Sequence, residues 1–171
     1  MTTMQPLHEE HQTLLPHIEA LRTAAESLDA WDARQLREAL AGAREFLRET
    51  LMPHAAAEED VLYREVERYL GSPDATRTMR RDHEEVRTLL GDLESLHASL
   101  PAAGLTGDVK NEARRVLYGL YALLRVHFAK EEEVYLPILE AHLDESGAQA
   151  LFQRMEHAAH EAHAHLSHPA A

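Results

Sequence analysis

Residues 54–61 read His-Ala-Ala-Ala-Glu-Glu-Asp-Val, and residues 127–134 read His-Phe-Ala-Lys-Glu-Glu-Glu-Val. Both strings place a histidine and a glutamate four residues apart, so on a helix an imidazole and a carboxylate share one face. Around each string, apolar residues recur at spacings of three and four, the period of helices packed as a bundle. Upstream of the second string the stripe is Ala113, Leu117, Leu120 and Leu124, continuing through His127 and Glu131 to Val134 and Ile138. Around the first it is Leu47, Leu51, His54, Glu58 and Val61. The histidines and glutamates thus stand in apolar stripes, where polar residues are least expected.

Working outward, the chain repeats itself. A shift of 72 lays Glu10-His11 on Asp82-His83, Leu14 on Val86, Ile18 on Leu90 and Leu21 on Leu93; a shift of 73 lays the first string on the second. The stripe Leu7, His11, Leu14, Ile18, Leu21, Ala25, Leu28 pairs with Met79, His83, Val86, Leu90, Leu93, His97, Leu100. The pattern predicts helices over about 5–29, 32–70, 72–100 and 106–143, with a shorter tail helix over about 147–166. Ser72 and Pro73 read as the N-cap and first residue of the third, and Pro101-Ala102-Ala103-Gly104 as its stop. Pro16, Pro53 and Pro137 fall inside helices and should kink them. Strand-like alternation is absent. Short connections make sequential helices antiparallel neighbours. The fold class is all-α: an antiparallel up-down-up-down four-helix bundle over about 4–143 with a short additional C-terminal helix, forming one domain over 1–171.

Measured from the turns near residues 31 and 104, His11 and His83 lie 20 and 21 residues before, and each His/Glu pair lies 23 and 27 after. At ~1.5 Å rise per residue, four imidazoles and two carboxylates fall within about two turns of one level. A buried carboxylate or unpaired imidazole costs kilocalories per mole, and two cations among these six donors would offset that. Any one core histidine is best read as a hydrogen-bonded packing residue; six polar residues at one level, related by a repeat, are not. A nitrogen and oxygen set without sulfur suits iron, manganese or zinc and argues against copper(I).

Composition narrows the classes further. The 171 residues carry 17 Lys plus Arg against 30 Asp plus Glu, a net charge of −13, with 13 His and no Cys. Such acidity disfavours nucleic acid and anionic membrane surfaces as partners. Missing cysteine removes disulfides, thiolate metal sites and cysteine nucleophiles. No apolar run nears the ~20 residues of a membrane span, and the N-terminus lacks a secretory pattern; a cytoplasmic location is expected.

The His-x-x-x-Glu strings, with single histidines in Leu7-His8-Glu9-Glu10-His11 and Arg81-Asp82-His83-Glu84, resemble the hemerythrin and hemerythrin-like (HHE cation-binding) family over about residues 4–143. The resemblance implies two iron ions, oxo- or hydroxo-bridged. His11 and His54 would hold one, His83 and His127 the other, and Glu58 and Glu131 would bridge them. Oxygen-carrying hemerythrins have a further histidine four residues after the third-helix ligand; here that residue is Arg87. A more open metal position favours reactive or sensing chemistry over reversible carriage. The implied partners are small ligands (dioxygen, hydrogen peroxide, nitric oxide), met by a monomer, and the implied activity is binding them or decomposing peroxide in a catalase-like reaction. The alternative is a non-enzymatic oxygen or iron sensor.

Other features weigh less. His8, three residues before His11, is a candidate seventh ligand, more readily read as a half-exposed cap. Its spacing is not that of a zinc-protease His-Glu-x-x-His. A single Glu94-Ser95-Leu96-His97 does not make a ferritin-like site. Glu59 and Glu132 are candidate supports for the ligands. Tyr63, Tyr118, Tyr121 and Tyr135 stand near the donors and read first as packing residues. The tail histidines His157, His160, His163, His165 and His168 read as a solvated, weakly basic helix end.

Overall fold

The computed structural model describes residues 3–101 and 104–167; the expected turn residues Ala102 and Ala103, and His168, lie outside the described residues. Helix α1 is Gln5–Ser27. Helix α2 runs over 33–70 and α4 over 107–142; α3 is Arg77–Ser99 and α5 is Glu145–Ser167. No strand occurs among the described residues, and no helix there is long and apolar enough to cross a membrane.

Local chemistry explains the ends. Asp32 and Gln35 cap the start of α2 reciprocally, side chain to backbone in both directions. Gly71 closes α2 in the left-handed conformation at φ 63°, which a Cβ would strain. The third helix starts later than Ser72-Pro73 predicted. The Ser72 N–H is taken by the Glu67 carbonyl at 3.1 Å, and residues 72–76 form turns before Arg77. Thr106 caps α4 by accepting from the Val109 N–H at 3.3 Å.

Cross-helix pairs run in opposite numerical order on neighbouring helices. Between α1 and α4 they are Asp29–Arg114, Glu19–Arg125 and His8–Glu140. Between α2 and α3 they are Arg44–Glu94, Glu59–Arg87 and Glu67–Arg80. Asp92–Arg115 and Asp82–His127 link α3 to α4, and His17 on Phe46 and Glu10 with His54 link α1 to α2.

Two apolar clusters fill the interior. One holds Leu14, Leu21, Leu51, Val86 and Leu124; the other holds Met4, Leu7, Leu62, Met79 and Leu139. His11, His54, Glu58, His83, His127 and Glu131 lie in chain order between them. The tail helix is more than a solvated end, because its Ala148, Leu151 and Met155 are buried in the second cluster.

Three π-helical turns interrupt the long helices, at Leu47–Leu51, Glu58–Leu62 and Glu131–Tyr135. Pro53 and Pro137 follow the first and third. A proline cannot donate to the carbonyl four residues back and crowds it, here at Glu49 and Glu133. The second and third turns begin at the buried glutamates; the Glu58 and Glu131 carbonyls accept from the N–H groups five residues on, Tyr63 and Leu136. Each turn spends an extra residue and shifts the buried register by one. The α-period expected Val61, Val134 and Ile138 inside. Instead Leu62, Tyr63, Tyr135, Leu136 and Leu139 are buried, and Val134 is 49% exposed. His97 is half-buried rather than a core residue, with Leu96 taking the inner position.

This register is testable by thermal melting. Leu139→Ala should cost about 2–5 kcal/mol as a buried truncation. Val134→Ser should stay within ~0.5 kcal/mol; the opposite ranking would mean an uninterrupted α-helix.

Candidate metal centre

All six expected donors are buried at 5% exposure or less. Each imidazole is held from outside by a carboxylate. Glu132 Oε1 lies 2.6 Å from His11 Nδ1, and Glu10 Oε1 lies 2.9 Å from His54 Nδ1. Glu59 Oε1 lies 2.9 Å from His83 Nδ1, and Asp82 Oδ2 lies 3.1 Å from His127 Nδ1. A carboxylate accepts only, so each Nδ1 is the protonated donor, and Nε2 is left as the inward nitrogen open to a metal or a second proton.

The inward atoms converge. Glu58 turns Oε1 toward His54 Nε2 (2.9 Å) and His11 Nε2 (3.8 Å), and Oε2 toward His83 Nε2 (3.4 Å). Glu131 turns Oε2 toward His11 Nε2 (3.7 Å) and Oε1 toward His127 Nε2 (3.4 Å). Two donor groups share Glu58: His11, His54, Glu58 and Glu58, His83, His127.

Whether these residues suit a metal is decided by what they lack. His11 Nε2, His54 Nε2, Glu58 Oε1 and Glu131 Oε2 are buried without a hydrogen-bond partner; the 2.9 Å approach of His54 to Glu58 is not aligned as a hydrogen bond. An unsatisfied buried polar group costs about 1–3 kcal/mol, so four rival a total folding stability of ~5–15 kcal/mol. His83 and His127 bring their Nε2 atoms to 2.9 Å. With both Nδ1 atoms donating outward, neutral rings would face lone pair to lone pair. A cation among these atoms removes every one of these costs, and the donors fit it.

Without metal, protons play that part. Burial opposes charge on His127, yet Asp82 and Glu131 raise its pKa to about 10. Burial opposes it on His54 too, and Glu58 and Glu10 still hold that pKa well above the ordinary 6.5. Glu58 is pushed up by burial but pulled further down by His54, ending well below its ordinary value.

The outer carboxylates follow the internal repeat. Glu10 and Asp82 are equivalent, as are Glu59 and Glu132, so the two halves are built alike. Sequence alone assigns no role to Glu10 and Asp82, although the repeat aligns them. The departures from symmetry are informative. Arg87 Nη2 donates to Glu59 Oε1 at 2.8 Å, and Lys130 pairs with Asp82; the equivalent positions in the other half are Leu15 and Ala57. His8 pairs with Glu132 through Nδ1, with Nε2 3.3 Å from Glu140, so it stands one layer outside the donors. Tyr63 is fully buried and donates its hydroxyl proton to Glu131 Oε1 at 2.7 Å, within 3.4 Å of His83 Nε2 and 3.3 Å of His127 Nε2. Its repeat equivalent is Leu136, so the repeat held no signal for it. Phe128 packs its edge on His11, ring centroids 4.6 Å apart. Tyr135 donates instead to the Ala75 carbonyl, and Tyr118 is exposed. Among the described residues no tail histidine joins a donor group.

The family model of the hemerythrin HHE cation-binding domain matches residues 2–139. The chain belongs to that family, whose domain binds metal cations. No curated protein and no solved structure matches the chain significantly.

Chelation should therefore destabilise the protein, and make its stability depend on pH. The raised pKa values of His54 and His127 stabilise the metal-free fold fully below pH 6.5, and that contribution is lost as pH rises through each raised value, about 10 for His127. The contribution of Glu58 is present above pH 4.5 and lost as pH falls through its lowered value. Melting of chelated protein should show Tm falling from pH 6.5 to 10, while metal-loaded protein stays higher and flatter. Equal Tm with and without metal would contradict the burial argument.

Proposed function

We propose that this chain is a non-heme diiron protein that binds or reacts with dioxygen, peroxide or nitric oxide and decomposes hydrogen peroxide. In this reading it is an antiparallel up-down-up-down four-helix bundle carrying one further C-terminal helix, a single domain over 1–171. His11 and His54 would hold one iron and His83 and His127 the other, with Glu58 and Glu131 supplying carboxylates to both. The observation that carries the reading is Glu58 between two imidazole pairs, one oxygen toward each, with Glu131 doing the same from the opposite helix. The opposed order of the cross-helix pairs supports the bundle.

A bound pair of iron ions would supply two-electron exchange with peroxide or dioxygen. The chain supplies the rest. Glu10, Glu59, Asp82 and Glu132 fix ring orientation and keep Nε2 unprotonated toward the centre. Leu14, Leu51, Val86 and Leu124 exclude bulk water from one side. Tyr63 Oη holds a proton beside Glu131: burial, then Glu58 and Glu131, push its pKa well above 10. It is a hydrogen-bond donor placed inside the centre. Arg87 presents its guanidinium to Glu59 rather than a ligand to the centre, and its side chain is 45% exposed. The donor set is thus six residues, with room for an outside ligand. Peroxide decomposition balances internally: one peroxide is oxidised to dioxygen while another is reduced to two waters.

Iron-reconstituted protein should hold two irons per chain by elemental analysis, and oxygen should evolve on adding peroxide. His54→Ala and Glu131→Ala should lose metal and cut oxygen evolution about 100-fold or more, with His163→Ala unchanged. One iron or none would overturn the diiron reading. A flat oxygen trace with reversible oxygen binding would favour the non-enzymatic alternative.

A further inference from the structure

Helix α5 lies beyond the family match that ends at residue 139. It packs on residues 52–62 of α2 and roofs a cavity of about 370 Å³ with Phe152, Met155, Glu156 and Ala159. Glu10 and His54 line it as well. His54 is the one candidate ligand that lines it. The larger cavity between α1 and α2, about 1000 Å³, touches none of the six.

A second void of about 10 Å³ is lined by His54 together with Glu58, His83 and His127. That is room for about one water-sized group. His54 therefore lines both spaces.

Glu10 and Glu156 place two carboxylates along this line, and Glu10 has no lysine or arginine partner among the described residues. Glu10 is half exposed while its Oε1 accepts from His54 Nδ1. Its repeat equivalent Asp82 is paired by Lys130, but residue 57 in place of that lysine is Ala57, which itself lines the cavity. Glu156 is exposed at the roof. A narrow cleft with low-dielectric walls and one sign of charge concentrates counter-ions. Carboxylates can replace the water shed by a divalent cation, while an anion would be repelled and neutral dioxygen needs no such groups.

We propose that this cavity is the passage by which divalent metal ions reach the centre, with Glu156 drawing the ion in, Glu10 passing it inward and His54 receiving it. Helix α5 is then the roof that sets the rate of metal exchange. The inference rests on the metal-binding reading above.

The test is the rate at which full-length, chelated protein takes up cobalt(II), followed by its visible absorption, with elemental analysis of the end point. Glu156→Lys should slow uptake about tenfold at low salt, with the difference shrinking at high salt. Ala159→Leu, which narrows the passage, should slow it at any salt. Glu38→Lys makes the same charge change at the larger cavity and should stay within about twofold of wild type. All should reach the same final stoichiometry. If Ala159→Leu fails to fold by circular dichroism, Glu156→Gln serves in its place, with about threefold slowing expected. Wild-type rates in the cavity variants, or equal slowing by Glu38→Lys, would overturn the passage and leave the centre standing. Failure of the wild type to take up any metal would overturn both.

Discussion

Four imidazoles and two carboxylates occupy one slice of an otherwise apolar interior, and the rest of the structure is arranged around that expense. Apolar clusters lie on both sides of the slice, so bulk water cannot satisfy the donors. The chain meets the cost from outside with a carboxylate on every Nδ1, and leaves the inner atoms to a cation. The outer carboxylates do more than lower the cost. They decide which nitrogen is free, which makes the centre a set of ligands rather than a set of hydrogen bonds.

The same slice accounts for irregularities in the helices. Two of the three π turns begin at Glu58 and Glu131, residues that must reach the axis of the molecule. An extra residue in those turns carries Tyr63 to the centre and Tyr135 to the Ala75 carbonyl. A helix of strict α-period would have pointed Val61 and Val134 inward and left no hydroxyl beside Glu131. Local disorder of the ladder is thus tied to the placement of a functional group.

Near-symmetry makes the departures readable. The His83 and His127 half has its carboxylates neutralised by Arg87 and Lys130, and has Tyr63 within reach. The His11 and His54 half has Phe128 against its rings and a half-exposed Glu10. Two donor groups built from the same residue types therefore sit in different electrostatic surroundings. The half with fewer fixed cations is also the half that meets the cavity under the last helix.

The periodicity of apolar residues and the 72- and 73-residue repeat determined the helices, their order and the six polar residues buried in the stripes, because burial of a stripe and repetition of a motif are written locally in the chain. The Arg87 departure came from the resemblance to the hemerythrin family, not from the repeat. Other features depended on side chains meeting across helices, or on which turn of a helix is α and which is π, and only the tertiary structure decided those. Glu10 and Asp82 look like solvated residues in sequence and become clamps because α1 faces α2 and α3 faces α4. Tyr63 had no repeat partner and an ambiguous face until a π turn shifted the register. The tail looked like a polar helix end because its histidines dominate it. Its buried residues Ala148, Leu151 and Met155 find their partner surface in the second apolar cluster.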